Sequence, residues 1–177
     1  MLVIGNVFRV ANFACGRWRT GVVFFIYSPL IVLMKLYLCD NGWVKQKVFS
    51  ALFKVMGIEQ FKKLGADFTK KIDTFLRDKT IKKLAEHQKR GDTVIVITAS
   101  IEDWVRPWCE KHNIIHVIAT QAEMKNGMLT GRFSTPNCYG PQKVFRLIET
   151  IGDLSNYHIT AYGDSRGDYE IMAISVR

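Results

Sequence analysis

The chain predicts an α/β fold, a parallel sheet covered by helices and preceded by an all-helical region. Three observations carry this. Up to about residue 76 the apolar residues recur at helical spacing. Past Arg77, short β-prone runs alternate with amphipathic helices, the order that builds a parallel sheet. The run Val94-Ile95-Val96-Ile97 is continuously β-branched and apolar, as a strand buried on both faces must be.

From about Val7 to Leu76 the reading is helical throughout. Trp43 to Met56 carries Val44, Val48, Leu52 and Val55 on one face, and Ile58 to Leu76 repeats the pattern with Phe61, Leu64, Phe68, Ile72 and Phe75. Gly57 marks a break between them. An aromatic stripe at this spacing reads as core rather than as a ligand cage. Thr80 to Arg90 is a basic amphipathic helix stopped by Gly91. The strand Thr93–Ile97 follows, and Ser100 opens a helix from Ile101 to His112, with Ser100 and Asp103 spaced as a capping box. His116 to Ala119 is a second strand. Asn126-Gly127 sits inside Glu123–Gly131 as a hairpin signal. Pro141 to Ile151 is a helix, Ile159 to Tyr162 a strand, and Tyr169 begins a last helix.

Gly21 to Leu38 needs its own reading. It approaches the length of a membrane span, with Arg17 and Arg19 ahead of it, Lys35 in its last turns and Pro29 interrupting it. A signal peptide fits poorly, because the apolar run is long and no small-residue cleavage site is clear. Three readings stay open: a buried helical pair, an interfacial membrane-docking segment, or a true span.

A length of 177 residues suits one domain, with or without an insert. The excess of 25 Lys+Arg over 16 Asp+Glu gives a formal charge of +9, which suits anionic partners such as phosphorylated metabolites or lipid headgroups. No nucleic-acid-binding signature or zinc-finger spacing is present, so we expect no nucleic-acid partner. Cys15, Cys39, Cys109 and Cys138 lie far apart with no Cys-x-x-Cys pair. That argues against a zinc site or disulfide scaffold and favours a reducing compartment, hence the cytoplasm, with membrane association through residues 21–38 left open.

Three segments carry candidate chemistry. Thr98-Ala99-Ser100 follows a strand and precedes a helix N-terminus, where free N–H groups and the helix dipole favour an anion. The bland alternative is that Ser100 caps the helix and Thr98 ends the strand. Gly140-Pro141-Gln142-Lys143 places a cation in the first turn of a helix, against the dipole, which a nearby anion would explain. Ala161-Tyr162-Gly163-Asp164-Ser165-Arg166-Gly167-Asp168 presents two carboxylates four residues apart after a strand. They suit Mg²⁺, a hard cation that takes oxygen ligands, or they cap the helix from Tyr169.

In order and spacing these segments resemble the haloacid dehalogenase-like phosphohydrolases, in particular the phosphoserine-phosphatase-like branch. Thr98 matches the family's second motif, Lys143 the third, and Gly163-Asp164-Ser165-x-x-Asp168 the fourth. The resemblance implies a Rossmann-like parallel sheet with an N-terminal helical cap, the cap spanning 7–76 and the α/β core 77–177. It implies Mg²⁺-dependent hydrolysis of a phosphate monoester on a phosphorylated small molecule or lipid-linked phosphate. Thr98, Ala99, Ser100 and Lys143 would hold the phosphate, Thr98 and Lys143 would act in catalysis, and Asp164 and Asp168 would hold Mg²⁺.

The first motif of that family, Asp-x-Asp-Gly-Thr, which supplies the aspartate nucleophile that becomes phosphorylated, is not found here. The chain opens Met1-Leu2-Val3-Ile4-Gly5-Asn6, and its first aspartate is Asp40. We therefore expect an incomplete sheet lacking its first, central strand, and a fragment, miscalled start or decayed gene product with little activity. Met1 to Asn6 could stand in as a strand but could supply no carboxylate. The alternatives are a non-catalytic phosphate- or metal-binding remnant and a membrane-surface protein.

Overall fold

A computed structural model describes residues 10–76 and 78–175. Helices come first: α1 over residues 10–15, α2 Arg17–Ile26, α3 Ser28–Lys35, α4 Asn41–Phe53, α5 Ile58–Ile72 and α6 Asp78–Arg90. Their ends have local causes. The Asp40 carboxylate caps α4 by accepting from the Trp43 amide at 2.6 Å. Gly57 gives α5 an extended N-cap, and Gly91, with φ +79°, ends α6 in the left-handed region. The helices α2 and α3 meet at 61°. Pro29 lies in the first turn of α3, where its missing N–H costs no intrahelical bond.

Two parallel strands follow, β1 Ile95–Ile101 and β2 His116–Thr120, joined by α7 Glu102–Lys111. An antiparallel hairpin comes next, β3 Ala122–Lys125 and β4 Met128–Phe133. Asn126 and Gly127 turn it with φ 52° and 74°, both left-handed, as the tight two-residue turn requires. The helix α8 is Pro141–Ile151, as its sequence predicts, and α9 is Tyr169–Ala173.

Two expectations need correction. The strand β1 continues to Ile101, with a register shift between Thr98 and Ile101. Ile101 is fully buried in the aromatic core and pairs with Thr120, which holds the chain extended past Ser100. The helix α7 therefore starts at Glu102 with Ile101, not Ser100, as its N-cap. Ile159–Tyr162, read as a strand, is not in a ladder. Among the described residues no strand lies beside it, and an extended segment without a neighbour has no partner for its N–H and C=O groups. It is held instead by its side chains, the Tyr162 hydroxyl meeting His87 Nε2 at 2.9 Å. Met1–Asn6, the suggested stand-in strand, lies outside the described residues.

The largest core draws on both sides of residue 77: Val48, Phe49, Leu52, Phe61, Trp104 and Leu129. Phe61 meets Phe49 edge-on at 5.9 Å and Trp104 at 5.7 Å, so the aromatic stripe is core. Backbone bonds from Val55 N to Leu129 O and from Leu129 N to Met56 O, both 2.9 Å, tie the α4–α5 connection to the hairpin. A second core of Ile118, Cys138, Leu147 and Ile171 packs α8 and α9 under β1 and β2. Within 21–38 the inward side chains are Val23, Phe24 and Tyr27, packed on the largest core, and Met34, which is buried.

Candidate active site

Lys143 enters the first turn of α8 from an N-terminus set by Gly140 and Pro141. It is buried, and its anion is Asp168, 25 residues along the chain, with which it forms a close ion pair. The same ammonium reaches the Ile97 carbonyl at 3.4 Å, one residue before Thr98. Three segments distant in sequence thus meet beside Ile97, next to Thr98, after which the regular register of β1 on β2 breaks. In an open α/β sheet ligands sit beyond the carboxyl ends of the strands.

Both oxygens of Asp168 are engaged. One oxygen takes Lys143; the other accepts from the Ser165 amide at 3.1 Å and the Ser165 hydroxyl at 2.5 Å. Burial alone would raise its pKa, but the Lys143 and Ser165 bonds outweigh it and hold the carboxyl below its ordinary value. Both glycines of this loop are required by close approach. A Cβ on Gly163 would lie 2.4 Å from the Asp168 Cβ, and one on Gly167 would lie 2.3 Å from the Tyr139 ring. The Gly140 amide donates to the Gly167 carbonyl at 3.1 Å, fastening the loop to the start of α8.

The other expected residues are placed differently. Thr98 is half-buried, and its hydroxyl accepts from the Ser100 amide at 3.1 Å. Ala99 and Ser100 are buried within β1, not at a helix N-terminus, and the Ala99 carbonyl accepts from Lys45 and from the Thr120 hydroxyl. The first turn of α7 carries Glu102 and Asp103, which disfavour an anion there. Asp164 is exposed on the loop.

Lys45 is a residue the motifs do not reveal. It comes from α4, is 1% exposed, and donates to the Ala99 carbonyl, to Asn137 Oδ1 at 2.9 Å and to Thr120 Oγ1 at 3.3 Å. Burial lowers its pKa to about 7. Its readable sign is position: Val44, Val48 and Leu52 mark the buried face of α4, and Lys45 shares it. Beside it opens a cleft of about 660 Å³ whose lining includes Trp43, Gln46, Phe133, Asn137, Tyr139 and Gln142.

Mg²⁺ takes one or two protein carboxylates and completes its octahedral shell with waters and phosphate oxygens. Asp164, exposed on this loop, and Asp168, paired with the Lys143 ammonium, are the two carboxylates that would hold it.

Residues 7–173 match the haloacid dehalogenase-like hydrolase family. The chain belongs to that family. Among haloacid dehalogenase-like structures its fold is shared with a probable phosphoserine phosphatase from Vibrio cholerae, at TM-score 0.67 and 14% identity, covering 97% of this chain and 50% of that one. A haloacid dehalogenase family hydrolase from Salmonella enterica serovar Typhi gives TM-score 0.68 at 11% identity over 94% of this chain and 55% of the other. A protein of unknown function from Bordetella pertussis Tohama I gives 0.67 at 19% identity over 80% and 64%. This chain spans between half and two thirds of each of those structures. Among curated proteins, Protein CicA of Caulobacter vibrioides is 26% identical over 164 residues, which are 90% of this chain and 71% of that protein.

Proposed function

We propose that this chain is the substrate-holding part of a phosphate monoester hydrolase and that, by itself, it turns substrate over at or near background. The observation that carries the reading is the buried Lys143–Asp168 pair set against Ile97 of β1, next to Thr98. Asp168 holds the Lys143 side chain against β1 beside Thr98. Of three ammonium protons, these two contacts use two and leave one for a phosphoryl oxygen. Thr98 accepts from Ser100 and so keeps its own hydroxyl proton to donate to a second oxygen. Preorganised donors of this kind stabilise charge without reorganising when the substrate arrives. The aromatic walls of the neighbouring cleft, Trp43, Phe133 and Tyr139, suit the leaving group of a phosphorylated small molecule or lipid-linked phosphate.

What this site lacks is a nucleophile. No Asp-x-Asp-Gly-Thr occurs in the sequence, so the covalent step has no residue to perform it. A second reading, a phosphate-binding protein without turnover, is favoured by Asp168, whose oxygens are engaged by Lys143 and Ser165. Titration with inorganic phosphate, read by calorimetry, and turnover of an aryl phosphate test both. We expect saturable phosphate binding, roughly tenfold or more weaker in Lys143→Ala, with turnover at background. Phosphate binding indifferent to Lys143→Ala would remove the site assignment. Robust turnover abolished by Lys143→Ala would show that another nucleophile has replaced the aspartate.

A further inference from the structure

The helices α2 and α3 are apolar on both sides, and folding explains only one. Inward, Val23, Phe24 and Tyr27 pack on the largest core. Outward, Trp18, Val22 and Phe25 recur at spacings of four and three on α2, Val32 and Leu36 lie four apart at the end of α3, and all five are exposed. Trp18 is 86% exposed, Phe25 81% and Leu36 60%. Tyr37 and Leu38 extend the patch. A helix face that meets only water is normally polar, and a contiguous apolar patch of this kind marks an interaction surface.

The surrounding charge selects the partner. No Asp or Glu precedes Asp40, while Arg17, Arg19 and Lys35 lie beside these residues in sequence. Trp18 and Tyr37, the aromatic types that settle at a membrane–water boundary, sit near the two ends of the helix pair. The geometry disfavours crossing. At ten and eight residues the two helices reach roughly 15 and 12 Å, and the 61° bend prevents them from adding up to a straight span. Among the described residues no single helix is long and apolar enough to cross a membrane.

We propose that the outer face of α2 and α3 docks on an anionic membrane surface, lying in the headgroup region rather than spanning it. The docked face continues into the candidate site. The Arg166 guanidinium, in the Gly163–Asp168 loop, stacks on the Tyr37 ring at 4.4 Å. Docking thus brings the Lys143–Asp168 end of the sheet to the lipid surface, within reach of phosphate groups presented there. Apolar insertion supplies binding, and the arginines and lysine supply preference for anionic headgroups.

The test is co-sedimentation with vesicles, which reads no turnover and so stands or falls apart from the proposed activity. Wild-type chain is compared on vesicles of equal parts phosphatidylglycerol and phosphatidylcholine and on pure phosphatidylcholine. We expect binding to the anionic vesicles, weakened by high salt, and roughly tenfold or more weaker binding to the neutral ones. Trp18→Ser/Phe25→Ser/Leu36→Ser should abolish binding with an unchanged thermal melt, since all three side chains are exposed. Arg17→Gln/Lys35→Gln should remove the anionic preference and leave folding intact. Equal binding to both vesicle types, or binding that survives high salt and carbonate, would overturn the proposal in favour of insertion. Absence of vesicle binding, with self-association lost in the serine variant, would overturn it in favour of a second copy of this chain.

Discussion

Two ammonium groups are buried against β1, and their surroundings differ in one decisive respect. Lys143 has a carboxylate partner, whereas Lys45 donates to three neutral oxygens. Uncompensated burial favours the neutral amine, so the Lys45 pKa falls from 10.5 to about 7. Between those two values the unfolded chain binds a proton that the folded chain does not. Stability therefore rises as pH climbs from about 7 toward 10.5, and below 7 the full penalty of the buried charge is present. Lys45→Met should flatten this rise in urea unfolding measured across that range. It should also stabilise the protein at neutral pH by about 1 kcal/mol or more. The single Thr120 hydroxyl proton can still serve either the Ala99 carbonyl at 3.1 Å or Asn137 Oδ1 at 3.2 Å, and Thr120 Oγ1 itself accepts from the Cys138 amide. An unchanged alkaline slope would mean that Lys45 stays charged in the fold.

At the scale of elements, α5 and α7 pack so closely that a glycine decides the contact. A Cβ on Gly65 would lie 2.1 Å from the Asp103 carbonyl oxygen. Gly21 in α2 has nothing within 4 Å of the same position. Alanine is the better helix former, so Gly21→Ala should raise stability by about 0.5–1 kcal/mol. Gly65→Ala should lower it by about 1–3 kcal/mol, because α7 must shift to admit the methyl. Thermal melts of the two variants should therefore move in opposite directions. The same contrast explains what was legible in the sequence. The Asn126-Gly127 hairpin and α8 depend on turn chemistry and period within a few residues, and the structure reproduces them. The end of β1 depends on Ile101 reaching a core assembled from α1, α4 and α5, which no local pattern shows. Lys143 was legible as a cation in an unfavourable first turn, yet its anion turned out to be Asp168 of the same chain. Lys45 was hidden because its acceptors come from β1, β2 and the loop after β4.

For the whole molecule the open question is the sheet. Among the described residues β1 has one strand neighbour, β2, and Ile159–Tyr162 has none. The ends of these two segments flank a single ammonium, since Lys143 touches both Ile97 and Asp168. A strand laid between them would pair the free edge of β1 on one side and Ile159–Tyr162 on the other, satisfying backbone groups and burying apolar faces. The family resemblance places its first strand there, ending in Asp-x-Asp-Gly-Thr. An N-terminal extension carrying that strand and motif should therefore raise the urea midpoint and make Ile159–Tyr162 amides resist hydrogen exchange. It should also restore turnover of an aryl phosphate, because the new carboxylate would face Thr98 and Lys143 across the strand ends. In the extended protein Lys143→Ala should lower kcat by the equivalent of about 2–4 kcal/mol, as loss of one electrostatic contact to the reacting group does. An extended protein that gains stability and exchange protection yet shows no turnover would mean that the sheet is correctly completed and that Thr98 and Lys143 are wrongly assigned.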